Sequence, residues 1–142
     1  MVASYLDTFK VQSLPTDPFL EFAGTIGNGQ IDPVAISRPK WKTIFDASYL
    51  RGPATVGATW RYIGKMDNAA NVGTGGASAG VKSVSYVDLN ARYRFTEKLE
   101  LWGAVTNLTD KQPPVYPSAG STDLATYDAI GRRFTVGVKA RF

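Results

Sequence analysis

Several stretches of about ten residues alternate between apolar and polar positions, and the connections between them take strict turns at being short and long. A residue period of two belongs to strands, whose successive side chains point to opposite faces. We read about six strands: Val2–Val11, Trp41–Leu50, Ala54–Gly64, Val84–Phe95, Leu99–Leu108 and Arg133–Phe142. Only Arg51–Pro53 separates the second from the third, and only Thr96–Lys98 the fourth from the fifth. The other connections, Gln12–Lys40, Lys65–Ser83 and Thr109–Arg132, are long. In an antiparallel meander this order sends every long connection to one rim and every short turn to the other.

The strand faces sort by chemistry. In the fourth strand Val87, Leu89, Ala91, Tyr93 and Phe95 form an apolar set, against Tyr86, Asp88, Asn90, Arg92 and Arg94. The last strand sets Phe134, Val136, Val138, Ala140 and Phe142 against Arg133, Thr135, Gly137, Lys139 and Arg141. The third sets Val56, Ala58, Trp60 and Tyr62 against Thr55, Gly57, Thr59 and Arg61. The fifth is mixed, with Trp102 beside Glu100 on the more polar side, and the first alternates poorly. Aromatics recur near the strand ends, at Trp41, Tyr49, Trp60, Tyr62, Tyr93, Phe95, Phe134 and Phe142, while the middle of the apolar face is small or aliphatic. Such end-weighting suits the interfacial girdles of a membrane barrel better than a soluble sandwich. Each strand also has about the 9–11 residues that a tilted strand needs to cross a bilayer. The expected fold is therefore all-β: an antiparallel up-and-down meander of about six strands, the C-terminal segment of a transmembrane β-barrel. Val136, Val138 and Val87 would face lipid, and Lys139, Asp88 and Arg92 a wet lumen.

The inventory removes several chemistries. The 142 residues include no Cys and no His, so thiolate catalysis, a Ser-His triad and the usual zinc sets are excluded. We find no nucleophile–base pair and expect neither an enzyme nor a cofactor. A net charge of +4 is scattered rather than gathered into a patch, which speaks against nucleic acid as a partner. The start, MVASYLDTFK, has no basic stretch followed by an apolar run and predicts no signal peptide. No stretch approaches the roughly 18 apolar residues of a membrane helix, which leaves a barrel open.

Several motifs have plainer readings. Gly73–Gly80 is Gly-rich but lacks the Lys-Ser/Thr of a phosphate loop, and reads as an exposed loop. Asn107–Thr109 matches a glycosylation acceptor, yet Asn107 more simply hydrogen-bonds at a strand end. Asp67, Asp110, Asp123 and Asp128 fall in loops without calcium-loop spacing and read as solvated charges. Glu97 and Lys98 keep a tight turn wet. Arg61, Arg92, Arg94 and Arg133, with the aromatic platforms Trp102, Tyr116 and Tyr127, are the candidate ligand or lumen contacts, because Arg suits anionic groups and aromatic faces suit sugars or planar chelates. The competing role for the arginines is to balance carboxylates such as Asp88 and Glu100 on neighbouring strands.

The stretch YVDLNARYRFTEKLELWGAVTNLTDKQPPVYP, followed by TYDAIGRRFTVGVKARF, resembles the C-terminal end of a TonB-dependent outer-membrane receptor. YLDTFKVQ, AGTIGN, PKWK and WRYIGKM are similar to the preceding strands of that family, so the likeness runs over nearly all of residues 1–142. It implies an outer-membrane transport receptor of a Gram-negative bacterium. Such a receptor takes up a scarce bulky nutrient (a siderophore, haem, cobalamin or an oligosaccharide) with energy delivered through TonB. Thr135, Gly137, Ala140 and Phe142 resemble the terminal signal read by the barrel assembly machinery, with Ala140 smaller than usual. The family's plug domain and most of its roughly 22 strands have no counterpart here, so the chain is expected to be a fragment. The alternatives are a passive porin-like barrel piece and a soluble β-sandwich binding module.

Overall fold

A computed structural model of the chain describes residues 1–27, 37–115 and 122–142. Ten strands follow in order: β1 Val2–Tyr5, β2 Lys10–Val11, β3 Leu20–Glu21, β4 Thr25–Ile26, β5 Trp41–Arg51, β6 Ala54–Ile63, β7 Asp67–Asn68, β8 Val84–Arg94, β9 Leu99–Thr106 and β10 Arg133–Ala140. Six of them form one antiparallel sheet in the order β1-β5-β6-β8-β9-β10, so each long strand pairs with its neighbour in the chain. β1 and β10 are its edges. The four two-residue strands form two small pairs, β2 with β3 antiparallel and β4 with β7 parallel.

The register keeps the two faces apart across all six strands. Phe134 pairs with Val105, Val136 with Gly103 and Val138 with Leu101. These meet Leu89, Ala91 and Tyr93 of β8, which in turn meet Ala58, Val56 and Ala54 of β6. Val87 lies opposite Trp60, which lies opposite Phe45. Lys139, Asp88 and Arg92 lie on the other face, as the period of two predicts. The apolar face is bare: Phe134, Val136 and Val138 are 71%, 75% and 66% exposed.

Turn chemistry fixes the short end. Gly52 and Pro53 alone link β5 to β6, with Gly52 at φ +55°, a conformation that costs Gly nothing. At the β8–β9 turn the Thr96 hydroxyl accepts from the N–H groups of Lys98 and Leu99 (3.2 and 3.0 Å). All the long connections leave from the opposite end of the sheet, where β5 and β10 begin and β6 and β9 finish.

The first expected strand, Val2–Val11, requires correction. Only Val2–Tyr5 joins the sheet, pairing with Trp41–Ile44. The chain then leaves, because Phe9 and Val11 pack instead with Leu20, Phe22, Ala69 and Val72. The Glu21 carboxylate fastens this departure by accepting from Phe9 N–H and Ala23 N–H (2.7 and 2.8 Å). Those two backbone hydrogen bonds hold Glu21 below the usual carboxylate range. The other expected strands differ only at their ends.

The main buried core is not under the middle of the sheet. Ile63, Val84 and Tyr86 sit at the loop end of the polar face, and Ile26, Met66, Val81 and Tyr127 from the connections close over them. Among the described residues, no helix is long and apolar enough to cross a membrane.

Toward the short-turn end of the polar face, a Cβ at Gly137 would collide with the indole of Trp102, its cross-strand neighbour. Gly137 is thus the seat of that ring. Gly137→Ala is expected to destabilise the sheet by about 1–3 kcal/mol, the usual range for overpacking. Urea unfolding in detergent, read by Trp fluorescence, measures this. Most of the loss should vanish in a Trp102→Ala background. An equal loss in both backgrounds would remove the steric explanation.

Candidate functional site

Two clusters occupy the polar face, one at each end. At the loop end the β6–β8 register sets Arg61 against Tyr86 and one step from Asp88. Arg61 donates twice to Asp88, Nε to Oδ2 at 2.9 Å and Nη2 to Oδ1 at 3.0 Å. This is the bidentate geometry that a planar guanidinium favours. Asp88 Oδ1 also accepts from Asn107 N–H (2.8 Å). Asn107 is fully buried and left-handed at φ +54°, which Asn tolerates better than most residues. Its side chain closes a ring with Lys111, accepting from Lys111 N–H (2.8 Å) and donating to Lys111 C=O (3.0 Å). The strand-end role read for Asn107 is the one it plays.

Asp128 joins this cluster from the last long connection. Its carboxylate lies 3.3 Å from Arg133 and 3.8 Å from Arg61, and its backbone N–H donates to the Tyr86 hydroxyl (3.3 Å). The Arg61 guanidinium also rests over the Tyr86 ring. Here the solvated-loop reading of Asp128 is wrong: the side chain is 5% exposed, covered by two guanidiniums. Asp110 is engaged too, accepting from Arg132 N–H (3.0 Å), and Asp123 accepts from Ala125 N–H (2.9 Å). Tyr127 packs into the core with its hydroxyl unpartnered, and burial pushes its pKa up. Two arginines and two aspartates compensate each other, so this cluster works as a staple that pins the last connection to the sheet.

At the short-turn end lies an open groove of about 600 Å³. Arg92, Arg94, Lys98, Lys139 and Arg141 line it, against Glu97 and Glu100 alone. Glu100 stands between Arg94 and Lys139 in register and lies 3.6 Å from Arg92. The indole of Trp102 sits one row further up, between Arg92 and Gly137. Cations exceed carboxylates, and the groove suits an anionic group.

The sequence-derived candidates thus fall into two sets. Arg61, Arg133 and Tyr127 come together at the loop end, and Arg92, Arg94 and Trp102 at the turn end. Tyr116 lies outside the described residues. Asp128, Tyr86, Lys139 and Arg141 were missed as site residues, although the period of two already placed Lys139 and Arg141 on the face of Arg92. Of the assembly-signal residues, Thr135 and Gly137 are on the polar face of β10 and Ala140 on the apolar face. Phe142 is fully exposed two residues past the strand. Among the described residues, no three acidic groups are placed to hold a metal ion. Compared with protein-family models, curated proteins and solved structures, the chain gives no match.

Removing the hub of the staple should free the last connection. Asp128→Ala leaves Arg61 its pair with Asp88 and takes from Arg133 the carboxylate it donates to. Because these arginines are 31% and 40% exposed, the expected cost is about 1–2 kcal/mol, below the 3–5 of a fully buried pair. Limited trypsin digestion should cut at Arg132 and Arg133 several-fold faster than in the parent chain. Unchanged cleavage would mean that Asp128 holds nothing down.

Proposed function

We propose that the chain is the C-terminal portion of a transmembrane β-barrel, part of a TonB-dependent receptor in the outer membrane of a Gram-negative bacterium. One observation carries the membrane assignment: an apolar face, bare across six strands, ends in aromatics at both rims. Tyr5, Trp41 and Tyr62 mark the loop end, and Tyr49, Tyr93 and Phe95 the turn end. Between them lie Ala47, Ala58, Val56, Ala91, Gly103 and Val136. An 11-residue strand such as β5 or β8 is roughly 36 Å long at about 3.3 Å per residue. Tilted by about 40°, it rises roughly 28 Å, close to the apolar band of about 25 Å on known outer-membrane barrels. Soluble monomers seldom leave so large an apolar surface open to water.

The edges support a larger barrel. β1 and β10 carry N–H and C=O groups that lipid cannot satisfy, at several kcal/mol each. Further strands of a closed barrel would pair them. The polar face would then line a wet lumen, with the long connections outside the cell and the short turns in the periplasm. Receptor activity, the nutrient and energising through TonB follow from the resemblance carried by DLNARYRF, GAVTNLTDK, YDAIGRRF and the terminal Phe. Thr135, Gly137, Ala140 and Phe142 would serve the assembly machinery.

Charge placed on either face of β10 tests the membrane assignment. In the full-length receptor, where further strands pair β1 and β10, Val136→Arg should impair insertion into phosphatidylcholine vesicles, at about 2–4 kcal/mol for a cation near mid-membrane. Thr135→Arg, on the wet face, should insert as the parent does. Flotation with the vesicles reads both, and equal behaviour of the two variants would defeat the assignment. In cells, deletion of the full-length gene should abolish accumulation of the nutrient, and so should collapse of the proton gradient. Uptake that survives gradient collapse would instead favour the passive porin-like alternative.

A further inference from the structure

A second groove, of about 450 Å³, lies at the loop-end rim where the apolar face gives out. Trp41 and Tyr62 form its wall on the apolar side. Beyond the strand ends it is lined by Lys40, Lys65, Ser83 and Asp67. Its frame is held by backbone hydrogen bonds: Gly24 N–H to Arg38 C=O (2.6 Å), Asp67 N–H to Gly24 C=O (2.8 Å) and Gly64 N–H to Trp41 C=O (2.8 Å). The stem of Lys40 lies flat on Gly24, where a Cβ would come within 3.2 Å of its Cγ. The last rung of the β5–β6 ladder pairs Lys42 with Ile63, and the Gly64–Trp41 hydrogen bond extends it by one step. Lys40 and Lys65 are the next residues along the two chains, and both line the groove.

Like charges facing each other across a strand pair destabilise it. Both lysines are exposed, and neither has a carboxylate within ion-pair distance among the described residues. Asp67, on the same rim, offsets one of the two charges. Glu21, the other carboxylate near Lys40, already accepts from two backbone N–H groups. We propose that this groove holds the phosphate of a lipid headgroup, with Lys40 and Lys65 on the phosphate oxygens and Trp41 and Tyr62 against the upper acyl chains. The depth selects a lipid: interfacial aromatics mark the headgroup level of a bilayer, and ammonium groups just beyond them meet phosphates. The proposal rests on the membrane assignment above.

The test uses the full-length receptor, whose further strands pair β1 and β10, inserted into phosphatidylcholine vesicles carrying a few per cent of spin-labelled phosphatidic acid or, in parallel, spin-labelled phosphatidylcholine. The immobilised fraction should favour phosphatidic acid. Lys40→Gln and Lys65→Gln should each reduce that preference roughly fivefold, as expected for about one interfacial charge. Lys40→Arg and Lys65→Arg should keep it, and Asp67→Asn should raise it. Inserted chain with no preference, or with a preference untouched by the Gln variants, overturns the lipid site and leaves the membrane assignment standing. Displacement of the labelled lipid by millimolar inorganic phosphate makes the groove a free-anion site and also overturns the proposal. Receptor that does not insert although its further strands pair β1 and β10 overturns the site and the membrane assignment together.

Discussion

The register between β6 and β8 is the constraint on which the rest of the structure depends. A slip of one residue would turn Val87, Leu89 and Ala91 to the polar side and move Asp88 away from Arg61. The bidentate Arg61–Asp88 pair resists such a slip because a planar fork tolerates little misalignment. From that pair the order spreads in both directions. Asp88 receives Asn107 N–H, which ends β9 and starts the last connection, and Arg61 approaches Asp128, which brings that connection back over Tyr86. A single polar contact between two central strands therefore governs both the separation of the faces and the seating of the loop layer.

That arrangement puts the conventional core in an unusual place. Ile26, Met66, Val81 and Tyr127 bury themselves against the polar side of the sheet, and only at its loop end. Among the described residues nothing covers the apolar side, as the exposure of Phe134, Val136 and Val138 demonstrates. Two-layer domains put their apolar sheet face inward. Here the polarity is inverted, so the described loops cover the polar side at one end and leave the apolar side uncovered. The proposed membrane setting would give it an apolar surrounding on one side and water on the other.

Most of the sheet was legible in the sequence because strand period and turn chemistry agreed. β6, β8 and β10 carry a clear period of two, β5 and β9 are placed between them by length and spacing, and RGP and TEK allow only tight turns. The first strand was misread for a physical reason. Phe9 and Val11 look like strand continuation, but their partners, Phe22 and Leu20, are brought close by a fold-back that leaves no periodic trace. The loop-end staple was half legible. Arg61 and Asp88 stand out on the polar face, whereas Asp128 is one of several loop carboxylates with nothing local to mark it. Its burial follows from Tyr127 beside it, whose ring is drawn into the core and carries the carboxylate down onto two arginines. Trp102 was recognised as a platform, but its seat on Gly137 shows only once β9 and β10 are in register.

The two ends of the polar face set opposite electrostatic demands. At the loop end charges are matched, and Asp128 is covered. At the turn end Arg92, Arg94, Lys98, Lys139 and Arg141 crowd around Glu97 and Glu100, with no loop over them among the described residues. Cations on adjacent strands repel, and only a high dielectric or an arriving anion keeps the cost small. That face must therefore stay in water, while the face behind it, one side chain away through the same strands, holds Val138 and Tyr93 bare. Burying either face against a second protein would solve one half of this and worsen the other, unless the partner were itself as two-faced. A sheet curved into a barrel wall meets both demands at once, with lipid outside and water inside. The distribution of charge on the polar face is thus an argument for the membrane setting that stands apart from the apolar face itself.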